Sequence, residues 1–177
     1  MSQTAALPTT FRQILSQVVD ADFRRDVLET FLGDREARPA SQEALRTVAA
    51  LRKLRPQTLA QLGKAERLNL VTGALGQPAF EDAAMQALQV WFLRKGRALM
   101  GQLLDSWEVK HKDGELEDDA ETPGLDAAKV RAAIAGLDAS HAASAIDAYL
   151  AYSHLAPPEA SWSEACGIVL LERLTKA

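Results

Sequence analysis

Apolar residues recur at threes and fours along most of this chain, and repeated changes in phase divide the pattern into a series of helices. After Pro8, the residues Phe11, Ile14, Leu15 and Val18 fall on one helical face, with Thr9 or Thr10 placed to cap the start. Phe23, Val27, Leu28, Phe31 and Leu32 keep the spacing but rotate away from that face at "DAD". The shift predicts a second helix, capped by Asp20 or Asp22 and closed by Gly33. "DREARPA" reads as a loop, after which Ser41 is placed to cap a helix carrying Leu45, Val48, Ala49 and Leu51 or Arg52 at helical spacing. Pro56 disfavours helical backbone at the residue before it, so this element stops at Arg55. A short helical turn to Leu62 and a helix over Lys64 to Leu75 follow, punctuated by Gly63 and Gly76.

The longest periodic stretch opens with Pro78 at a favourable first helical position and runs to Trp107 through Phe80, Ala84, Ala87, Leu88, Trp91, Leu99 and Leu103. At 1.5 Å per residue it predicts a helix of about 45 Å, long enough to serve as a spine. Gly96 and Gly101 each weaken it by about 1 kcal/mol relative to Ala. They mark either a kink or a place where another helix approaches closely. Three shorter helices close the chain. The first is capped by Asp126 and ends near Gly136; the second is capped by Asp138 or Ser140 and stopped by Pro157-Pro158. The third is opened by Ser161-x-x-Glu164, a capping box. The fold class predicted is all-α: a multi-helix bundle with one long central helix. An N-terminal helical lobe covers 1–107, an acidic connector 108–124, and a small three-helix lobe 125–177.

Composition supports helix. Ala and Leu dominate an apolar content of 47%, and aromatic residues are 6% of the chain. Cys166 is the only cysteine, which removes any intrachain disulfide or cysteine-based zinc site. The start, "MSQTAALPTTF", has no basic segment followed by an apolar core, and no apolar run approaches the ~20 residues of a membrane span. The expected location is cytoplasmic, with no membrane contact.

The net charge of −4 hides an uneven distribution. Arg46, Arg52, Lys53, Arg55, Lys64 and Arg67 face Glu66 alone between positions 46 and 67. Nine acids stand against Lys110 and Lys112 between Asp105 and Asp126. The basic block is a candidate nucleic-acid-binding segment. "LRPQTLAQLGKAERLNLV" resembles a helix-turn-helix whose second helix would present Lys64, Arg67 and Asn69 or Thr72, with Arg94, Lys95 and Arg97 nearby. Pro56 and Gly63 are spaced too closely to leave a full first helix, and the bland alternative is a solvated basic face.

The acidic stretch "SWEVKHKDGELEDDAETPGLD", 106–126, admits several chemistries. A calcium loop started at Asp113 alternates Asp113, Glu115, Glu117, Asp119 and Glu121, but has Asp118 where the turn glycine belongs and Gly124 where the bidentate Glu belongs. Glu108-x-x-His111 has the spacing of a di-metal helix motif, of which such a site needs two copies. A hairpin accounts for more of the residues. Asp113-Gly114 suits a two-residue turn, and pairing outward sets Lys112 opposite Glu115, His111 opposite Leu116 and Lys110 opposite Glu117. Trp107, Val109, His111 and Leu116 then share the other face, over 107–117; the alternative is a solvated linker.

His141, His154 and Cys166 could supply a nucleophilic pair only if folded together, and "SEACGIVLL" instead suits a packed thiol. His154 falls near a helix C-terminus, where a cation is favourable. No phosphate-cradling glycine loop, Gly-x-Ser-x-Gly or His-Glu-x-x-His occurs. The function expected is therefore non-enzymatic: a protein-interaction or regulatory protein, self-associating through the long helix or binding another protein. Trp91, Phe92 and Trp107 are the candidate interaction surface, because Phe92 beside Trp91 puts apolar residues on more than one face. The alternatives are a nucleic-acid binder using 46–67 with the acidic connector competing for it, and a divalent-metal enzyme using acids of 113–121. No cofactor is implied.

Overall fold

The structure, a computed structural model, describes residues 6–117, 119–137 and 140–176. It is all-α apart from one two-residue hairpin. Helix α1 (Phe11–Gln13) continues directly into a wider π turn at Ile14–Val18, and Thr10 caps it by accepting from the Gln13 amide. Helix α2 (Ala21–Gly33) is capped by Asp20, whose carboxylate accepts from the Phe23 amide at 2.8 Å, and it buries Phe23, Val27, Leu28 and Phe31.

Helix α3 (Arg38–Leu51) begins three residues before the expected cap. Asp34 accepts from the Glu36 and Ala37 amides and Pro39 fits the first turn, so Ser41 is buried inside the helix with its hydroxyl on the Arg38 carbonyl. The helix ends at Leu51, short of Arg55. Lys53 turns to φ +54°, and the Leu54 amide reaches back to the Ala49 carbonyl in a Schellman closure. Helices α4 (Pro56–Gln61) and α5 (Lys64–Thr72) follow, and α4 has the six residues that Pro56 and Gly63 leave for it.

The long central helix is two helices. After a 3-10 turn at Pro78–Phe80, α6 runs Glu81–Arg94 and α7 runs Arg97–Ser106. The break at Lys95-Gly96 is the kink that Gly96 allows. A Cβ on Gly96 would lie 2.9 Å from the Phe92 Cα and 3.0 Å from the Trp91 ring, so only glycine lets the chain turn back over these rings. Past α7, β1 (His111–Lys112) and β2 (Glu115–Leu116) pair antiparallel with His111 opposite Leu116 and Lys112 opposite Glu115, the expected register. Asp113 and Gly114 both hold positive φ, as this turn requires. The ladder does not reach Lys110 and Glu117.

Helices α8 (Ala127–Leu137), α9 (Ala143–Leu155) and α10 (Ala160–Lys176) complete the chain. Asp126 caps α8 as expected. Asp138 lies outside the described residues, and Ser140 bonds the Leu137 carbonyl rather than capping α9. Ser161 forms no capping box, because its hydroxyl accepts from the Leu125 amide, 36 residues away. Buried residues from Ile14 to Leu170 join one hydrophobic cluster, with α10 against α9 and α8, α2 against α6, and α9 against the first π turn. Among the described residues no helix is long and apolar enough to cross a membrane.

Candidate functional site

An apolar cleft of about 440 Å³ opens where the hairpin, α6, α7 and the end of α9 meet. Its construction starts at the hairpin's seat. Gly114 packs so closely on α7 that a Cβ there would sit 2.7 Å from the Arg97 carbonyl and 3.1 Å from the Met100 Cβ. Gly101 marks a close approach too, but by the hairpin rather than by a helix: a Cβ on it would lie 3.4 Å from the His111 ring. His111 Nδ1 accepts from the Gly114 amide at 3.1 Å, which leaves the proton on Nε2 to donate to Asp105, 3.0 Å away. Arg97 spans the seat, its guanidinium 3.2 Å from the Glu115 carboxylate.

With the hairpin so held, Leu116 forms one lip of the cleft and Leu93 of α6 the other. They are 41% and 37% exposed, two of four large apolar side chains in that state among the described residues. Phe92, Met100, Leu104, Tyr149 and Trp162 lie beneath them. Few polar atoms enter. Tyr152 accepts from Gln89 at 2.7 Å, and burial pushes both Tyr152 and Tyr149 above the usual phenol range.

The expected interaction surface of Trp91, Phe92 and Trp107 is corrected by their burial: they are 8%, 3% and 4% exposed. The second partner that adjacent aromatics require is inside the chain. Trp91 meets Phe23 and sends its Nε1–H to Asp26, while Phe92 meets Tyr149 and Tyr152 edge to face. Trp107 meets Tyr149 and Trp162. Of these three, only Phe92 lines the cleft. Leu116, placed on the hairpin's apolar face by its register, and Leu93, which the residue pattern did not single out, carry its exposed apolar surface. The signal for Leu93 was the run Val90-Trp91-Phe92-Leu93, too wide for one helical stripe.

The basic block divides. Arg46 pairs with Glu43, Lys64 with Glu29, and Arg67 donates to the Ala60 carbonyl, so the last two turn toward their own neighbours. Among the described residues no carboxylate pairs with Arg52, Lys53 or Arg55, all exposed at the corner between α3 and α4, although Arg52 lies over Gly73. Leu51, 48% exposed, sits on the same corner. Arg94 pairs with Asp34 and Glu36, and Lys95 with Asp26.

The acids of the connector do not converge. Among the described residues, no group of three or more His, Cys, Asp or Glu side chains could hold a metal ion, and Asp118 lies outside those residues. No hydrogen bond or ion pair joins the described residues of 113–121 to those of 46–67; Arg97 is the cation that the hairpin meets. Cys166 is fully buried and burial pushes its thiol up to about 12. His154 Nδ1 donates to the Ser163 carbonyl at 2.9 Å, and His141 bonds Gln102. His154 does fall in the last turn of its helix.

No family model matches this chain, and neither a curated protein nor a solved structure does.

Proposed function

We propose that this is a protein-interaction protein whose cleft takes an apolar segment of a polypeptide partner. One observation carries this: the cleft is walled by fully packed aromatic and aliphatic side chains, yet keeps Leu93 and Leu116 exposed at its two lips. Exposed apolar surface next to a concave apolar floor is what a partner's side chain desolvates on binding. An open groove of this width suits a helix or extended segment inserting one or two apolar anchors. The sparse polar lining and the dispersed acids favour binding over catalysis.

The test is site-specific photo-crosslinking in the native cell. A photoreactive phenylalanine analogue at position 93 or 116 is expected to form a polypeptide adduct of definite mass, and the same analogue at Lys129, exposed on α8, is not. Absence of any polypeptide adduct at 93 and 116, or equal labelling at 129, refutes the proposal.

A further inference from the structure

Resting on that reading of the cleft, we propose that its occupant is a second copy of this chain, which inserts the corner carrying Leu51, Lys53 and Arg55. The cleft is apolar, and the chain that borders it is acidic. Leu116 forms a lip, and seven residues later the Pro123 carbonyl accepts from Trp162 Nε1 at 3.0 Å, so the segment between them is tied at both ends to residues that line the cleft. That segment carries Glu117, Asp119 and Glu121, all exposed, and among the described residues none of the three has a cationic partner.

The corner between α3 and α4 has the complementary character. Leu51 offers an exposed apolar side chain, and exposed Lys53 and Arg55 follow it without a carboxylate partner among the described residues. Two exposed cations without a carboxylate partner among the described residues thus flank one exposed leucine, and three exposed anions follow Leu116 at the lip of the cleft. Within one chain the two surfaces are held apart. Ala40, near the start of α3, borders the groove that adjoins the cleft through Leu93 and Glu115, and Leu51 lies eleven residues further along a continuous helix, roughly 16 Å away. A second copy can bring them together.

Corner-to-cleft contact joins two different surfaces, so it is heterologous: it generates a ring if the rotation closes and an open chain of molecules if it does not. The charged rim steers and orients the contact, and added salt weakens it.

The experiment measures the mass of the full-length protein by sedimentation over a range of concentrations. Mass should rise with concentration at low salt and fall toward one chain near ~1 M salt, where screening acts within ~3 Å. One variant reverses the acidic border (Glu117→Lys, Asp119→Lys, Glu121→Lys) and another the corner (Lys53→Glu, Arg55→Glu). Each alone should associate at least about tenfold more weakly, because like charges then face each other. Mixed in equal amounts, they should restore association, since every alternating contact is again between opposite charges. Leu51→Ser should weaken association without changing its salt dependence. Thermal melting of each variant confirms that it is folded.

A single-chain mass at every concentration and salt overturns the proposal, as does association that survives both reversals, or a mixture that fails to restore it. A crosslink from position 116 to a chain of another mass, with no self-adduct, also overturns it while leaving the cleft's role as a protein-binding site intact. Binding of labelled duplex DNA lost in Lys53→Glu, Arg55→Glu, without self-association of the parent, assigns the corner to nucleic acid instead.

Discussion

Asp20 and Ser144 hold each other across 124 residues of chain: the Asp20 amide donates to the Ser144 hydroxyl oxygen at 3.2 Å, and that hydroxyl donates to the Asp20 carboxylate. The other carboxylate oxygen of Asp20 caps α2, so one side chain starts a helix and fastens α9 to it.

Asp20→Ala is therefore expected to cost more than a free N-cap, about 1–2 kcal/mol, or a fall of roughly 2–8 °C in Tm for a chain of this size. Ser144→Ala should cost less, because the cap survives. The Phe23 amide and the Ser144 hydroxyl hold the Asp20 carboxyl below its ordinary value of 3.8. Its contribution is thus present above that value and is lost as pH falls through the lower folded value. The difference in Tm between parent and Asp20→Ala should shrink on acidification below about pH 4, which thermal scans at a series of pH values will show.

Two glycines should resist alanine for different reasons. Gly96 is the N-cap of α7, where Ala is ordinarily poorer than Gly, and here the added Cβ also meets the Phe92 backbone, so Gly96→Ala is expected to cost about 1–3 kcal/mol. Gly114→Ala meets the Arg97 carbonyl at a φ of +85° and should cost at least about 1 kcal/mol. Hydrogen exchange separates them: the second change should deprotect Leu116 and Glu115 selectively, whereas uniform loss of protection would contradict the hairpin's seat.

Trp107 and Trp162 meet edge to face, 5.0 Å between centroids, yet their indole nitrogens differ. Trp162 donates to the Pro123 carbonyl; Trp107 Nε1 is buried without a hydrogen-bond partner among the described residues. Replacing either with Phe removes similar area, but only Trp162→Phe strands an acceptor. It should be the more destabilising change by about 1 kcal/mol, measured by urea unfolding. Equal losses would count against the assigned bonds.

Cys166, fully buried on α10 with its thiol raised to about 12, should react with a disulfide reagent at least about a hundredfold more slowly than a free thiol. Labelling should accelerate in parallel with unfolding as urea is added. Rapid labelling of the native protein would overturn the packed placement.

Where a side chain bonds its own backbone neighbours, residue order alone determined the outcome. Asp20 and Asp126 cap the helices that follow them, Pro56 and Gly63 bound a six-residue helix, and Asp113-Gly114 sets the hairpin register. Each of these needs only atoms within a few residues, and in each case the tertiary structure kept the local arrangement. Tertiary structure decided the rest. Ser161 had a good local partner in Glu164 but bonds Leu125; the spine breaks at Gly96 because Trp91 and Phe92 fill the space a Cβ would take. The same apolar run that suggested an outward face at Trp91 and Phe92 turned inward, toward Phe23 and Tyr149, and left Leu93 outside. Periodicity says that a helix has apolar faces, but which face meets the core depends on where the other helices lie.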